Sequence, residues 1–272
     1  MQDRLDAEAQ EAADRAGVEV RGLQPDEAHT ASTLFDEVWR SGTGRSPMEP
    51  GLIVALEHAG NYCAGAFVGT ELVGACVGFF GTPLGEVLHS HIAAASPGAR
   101  PGTGSALKRH QRAWCHRRGL SMIAWTYDPL IARNAWFNLS RLRAHPVEYL
   151  VDFYGDMDDG LNAGQGSDRL LVHWPVLPGG EDVGPFVALG QAETAAALMV
   201  GPGEEPVPAA VPDGVRVCAL AVPTDIEALR DRNPRLGARW RHAFRSAYLD
   251  LTSQGWHLTG FERDGRYVME RG

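Results

Sequence analysis

The chain has 272 residues, 44% of them hydrophobic and 22% charged, which is enough for one large domain or two small ones with cores of their own. A formal net charge of −9 argues against a nucleic-acid surface, since phosphate affinity needs a concentrated field of Lys and Arg. Cys63, Cys76, Cys115 and Cys218 stand far apart without a CxxC pair, so neither a metal site nor a disulfide framework is indicated, and reduced thiols in the cytoplasm are expected.

Gln2 to Ala16 is polar and Ala-rich, a first helix or a frayed arm, and lacks the apolar centre of an export signal. No apolar run approaches the ~18 residues that a membrane span needs. A short strand at Val18–Arg21 precedes a helix over Pro25–Arg40, where Ala28, Leu34, Phe35, Val38 and Trp39 fall at helical spacing. Tyr62–Val68 and Leu72–Phe80 flank Gly69-Thr70-Glu71 and read as a hairpin. Val87–Ala95 is a further strand, Gly104–Arg118 an amphipathic helix, Leu120–Tyr127 a strand and Pro129–Arg143 a second core helix. Val176–Val215 is rich in Gly, Pro, Ala and Glu, and its centre from Gly201 to Pro208 cannot continue a helix or a central strand. Beyond it come a strand at Val215–Val222, a short helix capped by the Thr224 hydroxyl, a long helix over Pro234–Ser253 and a hairpin of Trp256–Phe261 and Arg266–Met269 around Asp264-Gly265.

The segment Leu88–Gly119 carries the clearest chemistry. A strand leads into a turn around Gly102-Thr103-Gly104, which opens a helix and so gathers unpaired backbone N–H groups at a helix N-terminus, a place for a pyrophosphate. His89 and His91 alternate with Ser90 along that strand and point to one face. Asp128 stands before Pro129 and suits either an Asx-type cap or a charge partner. Arg241 and Arg245 lie one turn apart beside the apolar stripe Leu236, Trp240, Phe244, Ala247 and Leu251, so they either face solvent or receive a carboxylate. Arg169 is a second candidate for pairing with an acid or a carboxylate. Asp156-Met157-Asp158-Asp159 lacks the spacing of a calcium loop and reads as a solvated turn, so no metal is expected.

The element order, with a glycine turn after the fourth strand, resembles the GNAT superfamily of acyl-CoA-dependent N-acyltransferases. The family pattern Q/R-x-x-G-x-G/A falls on Ala99-Arg100-Pro101-Gly102-Thr103-Gly104, with both glycines matched and alanine at the Q/R position. A narrower resemblance, to a bacterial subgroup of predicted acetyltransferases with a C-terminal extension, rests on His89-Ser90-His91, Trp125–Leu130, Arg133–Leu139, Tyr154–Met157, Ser167–Leu170, Pro223-Thr224-Asp225-Ile226 and Trp240-Arg241. It implies an α+β fold with a mixed sheet: a GNAT domain over 1–176, a Gly/Pro-rich linker or surface excursion over 177–214, and an α/β region over 215–272 that packs on the sheet or completes it.

The resemblance implies coenzyme A, as acetyl-CoA or another acyl-CoA, held by Ala99, Arg100, Gly102, Thr103, Gly104 and Ser105. Backbone N–H groups near Ile92, Ala93 and Ala94 face the thioester, while Asn134 and Phe137 lie on the pantetheine and adenine side. His91 is the preferred base, and Asp128 its orienter or a receiver of the acceptor's ammonium. The acid position that many GNAT enzymes fill with tyrosine holds Leu139, leaving Tyr154 and Tyr127 as substitutes. His89, Tyr127, Arg169, Arg241 and Arg245 are expected around the acceptor. The implied activity is transfer of an acetyl or succinyl-type group to a small amine such as an amino acid, the chain being allowed to form a homodimer. The alternatives are a coenzyme A-binding module or sensor without transfer, and a thioester enzyme such as a decarboxylase.

Overall fold

The computed structural model describes residues 2–41, 46–155, 166–177 and 195–272. The protein is α+β, and its residues fall into two compact units: one of residues 2–125 with 175–177, the other of the described residues from 126 onward apart from these.

The first unit runs α1 (Gln2–Ala16), β1 (Glu19–Gly22), a 3-10 turn at Pro25–Glu27, α2 (Ala28–Trp39), α3 (Pro50–His58), β2 (Tyr62–Val68), β3 (Glu71–Phe80), β4 (Val87–Ala95) and α4 (Thr103–Arg117), and enters β5 (Met122–Tyr127). α1 is a packed helix, not a frayed arm. Leu5, Ala9, Ala12, Ala13 and Ala16 form its buried face, and Asp6 and Glu8 pair with Arg117 and Arg109 of α4. The sheet order is β1-β2-β3-β4-β5, antiparallel until the parallel pairing of β4 with β5 across α4. Leu34, Phe35, Ile53, Val77, Ile92 and Ala94 build the core beneath α2 and α3. α3 has no counterpart among the sequence expectations: its run Gly51–Leu56 is apolar on several sides, and only Ile53 of the helix is fully buried.

Two irregularities shape β4. Val77 pairs with Ile92 but the next residue, Gly78, pairs with Ser90, so His91 is an extra residue, a β-bulge. The bulge changes the strand's phase: Ser90 meets Lys108 of α4, whereas Ile92 and Ala94 pack into the core under α2 and α3. On its other edge β4 pairs with β5 from Val87–Met122 to His89–Ala124 and no further, so the strands part just before the bulge.

The second unit holds α5 (Ala132–Ala135) followed by a π-turn over Trp136–Arg141, the hairpin strands β6 (His145–Leu150) and β7 (Arg169–Pro175), and β8 (Ala195–Val200), β9 (Pro206–Pro208), β10 (Val217–Ala221), α6 (Ile226–Arg232), α7 (Pro234–Ser253), β11 (Trp256–Phe261) and β12 (Arg266–Arg271). Its five-stranded sheet has the order β11-β12-β10-β8-β9, with β10 and β8 parallel. Trp240, Phe244, Phe261 and Tyr267 fill its core. Three expectations change here. The helix expected over 129–143 is a short α-turn that widens, with Leu142 N–H donating to Phe137 O five residues back. The Gly/Pro-rich stretch contains β8 and the short edge strand β9, where prolines are tolerated because one side needs no ladder donors. The cap of α6 is Asp225, whose carboxylate accepts from Ala228 N–H at 3.0 Å, not Thr224.

Candidate functional site

The glycine turn of the first unit has the form that an anion cradle needs. Gly102 sits at φ +101°, where a side chain is strained, and caps α4. Some amides are spent within the turn: Ala99 N–H donates to Ser96 O at 2.9 Å and Thr103 N–H to Arg100 O at 3.2 Å. Thr103 Oγ1 also donates to Arg100 O at 2.8 Å. The N–H groups of Gly102, Gly104 and Ser105 have no acceptor among the described residues, so they, and not the amides of Ala99 and Thr103, are available to an anion. Arg100 lies across Gly17 at the end of α1.

Gly104 tests whether coenzyme A fits. Its φ is ordinary and a Cβ built on it would meet nothing within 4 Å, so neither conformation nor packing demands glycine in this first helical turn. The space beside it is open. The residues fit the group.

On β4, His89 and His91 face the same way, ring centroids 6.1 Å apart, and Phe79 packs against both at 5.0 and 5.6 Å. Burial lowers the pKa of both rings, and for His89 the neighbouring His91 and Lys108 add to the effect, bringing it to about 4. Both imidazoles are therefore neutral at pH 7. Of the two, His91 is the more open to solvent, on the bulge, with exposed Ala93 and buried Ile92 and Ala94 beyond it. Lys108 was not among the sequence candidates. It is buried, donates to Ser90 Oγ at 2.7 Å and Gln111 Oε1 at 3.2 Å, and lies over the Trp125 ring at 4.1 Å.

In the second unit, Asp128 is the centre of a buried ion cluster. Arg241 grips it with both Nη atoms, at 2.8 and 2.6 Å, and Arg230 Nη2 reaches Oδ2 at 3.0 Å. Burial pushes this carboxyl up, and the guanidiniums of Arg241 and Arg230 overcome it and hold the group well below the usual range. Oδ1 also accepts Leu130 N–H at 2.9 Å, the Asx turn that the sequence allowed. The structure thus supplies Asp128 with partners other than an ammonium or His91, and gives Arg241 a carboxylate of its own chain. Arg241 is buried, not on a solvated face.

Arg245 pairs with Asp168 and Asp152, and Tyr149 donates to Asp168 Oδ2 at 2.6 Å. Arg169 is buried beside this group, donates to Asp168 O at 2.9 Å and lies 5.2 Å from the Tyr154 ring. Tyr154 is exposed, its hydroxyl 3.3 Å from Thr126 Oγ1. Tyr127 is buried with its hydroxyl 3.4 Å from that of Tyr267, and burial raises its pKa far above the range of a working acid. Asn134 and Phe137 are half-buried on α5 and the π-turn, and Leu139 is buried. The Asp156–Asp159 cluster lies outside the described residues. Among the described residues no group of three His, Cys, Asp or Glu is placed to hold a metal, and no helix is long and apolar enough to cross a membrane.

No family profile and no curated protein matches the chain. Among solved structures, it is similar to an N-acetyltransferase from Staphylococcus aureus, at 11% identity over 59% of this chain and 99% of that one, with a TM-score of 0.48. It is also similar to a GNAT superfamily phosphinothricin acetyltransferase from Sinorhizobium meliloti in complex with acetyl-CoA, at 14% identity, 58% and 88% coverage and a TM-score of 0.48. A ribosomal-protein alanine N-acetyltransferase from Escherichia coli gives 12% identity, 61% and 97% coverage and a TM-score of 0.47.

Proposed function

We propose that this chain is an acyl-CoA-dependent N-acyltransferase that moves an acetyl or succinyl-type group to the amine of a small molecule by direct attack. The observation that carries the reading is the open turn at Gly104, with unspent N–H groups at the start of α4. Acyl-CoA supplies the acyl carbon as a thioester. The amides of Gly102, Gly104 and Ser105 hold the diphosphate, and Ala99, Arg100 and Thr103 shape the turn that presents them.

The bulge of β4 is suited to the acyl end. An extra residue leaves backbone groups outside the ladder, and β5 no longer pairs with β4 there, which supports an N–H near Ile92–Ala94 as the donor to a carbonyl oxygen that gains charge. His91, neutral at pH 7 and exposed, takes the proton from the attacking nitrogen. The new C–N bond forms as the C–S bond breaks; the bonding pair leaves on sulfur, and the thiolate takes its proton from solvent. Nothing in this sequence requires a covalent enzyme intermediate.

Incubation with acetyl-, succinyl- and malonyl-CoA and a panel of small amines, with free thiol and product mass recorded, tests the reading. Transfer releases thiol and yields acylated amine. A thioester retained after loss of carbon dioxide, or coenzyme A binding without turnover, replaces it with decarboxylation or a binding module. His91→Ala is expected to lower kcat by about 10²-fold or more while leaving coenzyme A affinity unchanged. Unaltered kcat removes His91 from the chemistry.

A further inference from the structure

We infer that Lys108 is a positioning residue for the proposed acyl transfer: by bonding Ser90 it selects the bulged register of β4 that turns His91 toward solvent. The inference rests on the reading of His91 as the base. Lys108 is buried on α4 and bonds no carboxylate among the described residues; its ammonium donates to Ser90 Oγ and Gln111 Oε1 and lies against the Trp125 ring. Burying a cation without a counter-charge is unfavourable, so for packing alone an apolar side chain would serve better here. What the cation adds is a bond to the residue that precedes the bulge.

That bond belongs to one register. Side chains alternate along a strand, so Ser90, Ile92 and Ala94 of an unbulged β4 would share one face. Here they do not: Ser90 lies against Lys108, with its Oγ 3.8 Å from Cys76 Sγ, while Ile92 and Ala94 sit in the core under α2 and α3. A regular strand that kept Ile92 and Ala94 in that core would turn the Ser90 hydroxyl away from α4 and leave Lys108 with Gln111 alone. It would also set His91 opposite Gly78, on the side that α4 covers. Gly78 permits the bulge, since a Cβ there would stand 2.9 Å from His89 O. Gln111, whose Nε2 also donates to Cys76 Sγ at 3.3 Å, holds the ammonium in place. Glycine makes the bulge possible, and Lys108 makes it the preferred register.

Labelling of His91 by diethyl pyrocarbonate, which acylates neutral imidazole, reads the register without any turnover. With His29, exposed on α2, as the internal reference, Lys108→Met and Ser90→Ala are each expected to slow labelling of His91 severalfold. Burial alone lowers the His91 pKa, so removing the Lys108 charge leaves the basicity of the ring as it was, and slower labelling reports lost exposure. In the transfer assay each variant is expected to lower kcat about tenfold or more with KM for acyl-CoA unchanged, because the reacting groups are misplaced and the cradle is not. The double variant is expected to be no slower than Lys108→Met, since both changes remove the same bond. His91 labelled at the unaltered rate in both variants overturns the inference, as do kcat losses that multiply in the double variant. An unaltered protein that transfers no acyl group overturns the proposed function instead, and the labelling still decides whether Lys108 sets the register.

Discussion

At Gly104 the needs of the helix and of a ligand pull apart. Glycine costs a helix interior or first turn up to about 1 kcal/mol relative to alanine, and here neither a positive φ nor a close neighbour justifies that cost. Gly102, two residues earlier, is different: its φ of +101° alone accounts for glycine. Gly104→Ala is therefore expected to raise the Tm of the free protein slightly while weakening coenzyme A, and Gly104→Leu to abolish coenzyme A binding with the fold intact. Tm measured with and without coenzyme A separates the two effects. A variant that binds coenzyme A as the unaltered protein does would place the diphosphate elsewhere.

Between elements, Asp128 ties the turn after β5 to both α6 and α7 through Arg230 and Arg241. Asp128→Asn keeps an acceptor for Leu130 N–H but leaves buried guanidiniums without a counter-charge, for which a loss of about 3–5 kcal/mol is expected in urea unfolding. Combining it with Arg241→Met should recover much of that loss, because the pair is costly to break and cheap to replace. Losses that simply add would show that the two residues act independently. Local pattern made the frame of these elements legible: β4 and α7 run where alternation and the stripe Leu236–Trp240–Phe244 put them. It also made the shared face of His89 and His91 legible. The bulge at His91, the pairing of β6 with β7 and the edge strand β9 depend on partners distant in sequence, and Pro146, Pro206 and Pro208 argue locally against strands that pairing nevertheless forms. Arg230 escaped notice because, in sequence, it is one arginine among the charges of a short polar helix; only burial distinguishes it.

For the molecule as a whole, acid has two opposing effects. Lowering the pH from 7 to the sequence pI of about 5.6 reduces the self-repulsion of a chain with formal net charge −9, which favours the compact state. Against this stand His89 and His110, both brought to about 4, first by burial and then by nearby cationic or imidazole neighbours, with the His110 ring 2.9 Å from the Tyr62 hydroxyl. Above pH 6.5 both rings are neutral folded or unfolded and contribute nothing to the pH dependence. As pH falls from about 6.5 to about 4 the unfolded chain takes up protons that the native one refuses, so stability declines, by at most about 3 kcal/mol per ring and with a slope of up to about 1.4 kcal/mol per pH unit each. Below about 4 the slope from these rings ends, and protonation of Asp128, whose native carboxyl is held low by Arg241 and Arg230, takes over in the same direction. The local terms are specific and the repulsion is spread over an exposed, salt-screened surface, so a net loss is expected across the histidine window. Urea unfolding at pH 7, 5.5 and 4.5 in 0.15 M salt measures it, and His110→Gln, which cannot titrate, should make the slope shallower. Stability that holds level or climbs between pH 6.5 and 4, or a slope untouched by His110→Gln, would mean that these rings accept protons inside the fold and that surface charge governs the response.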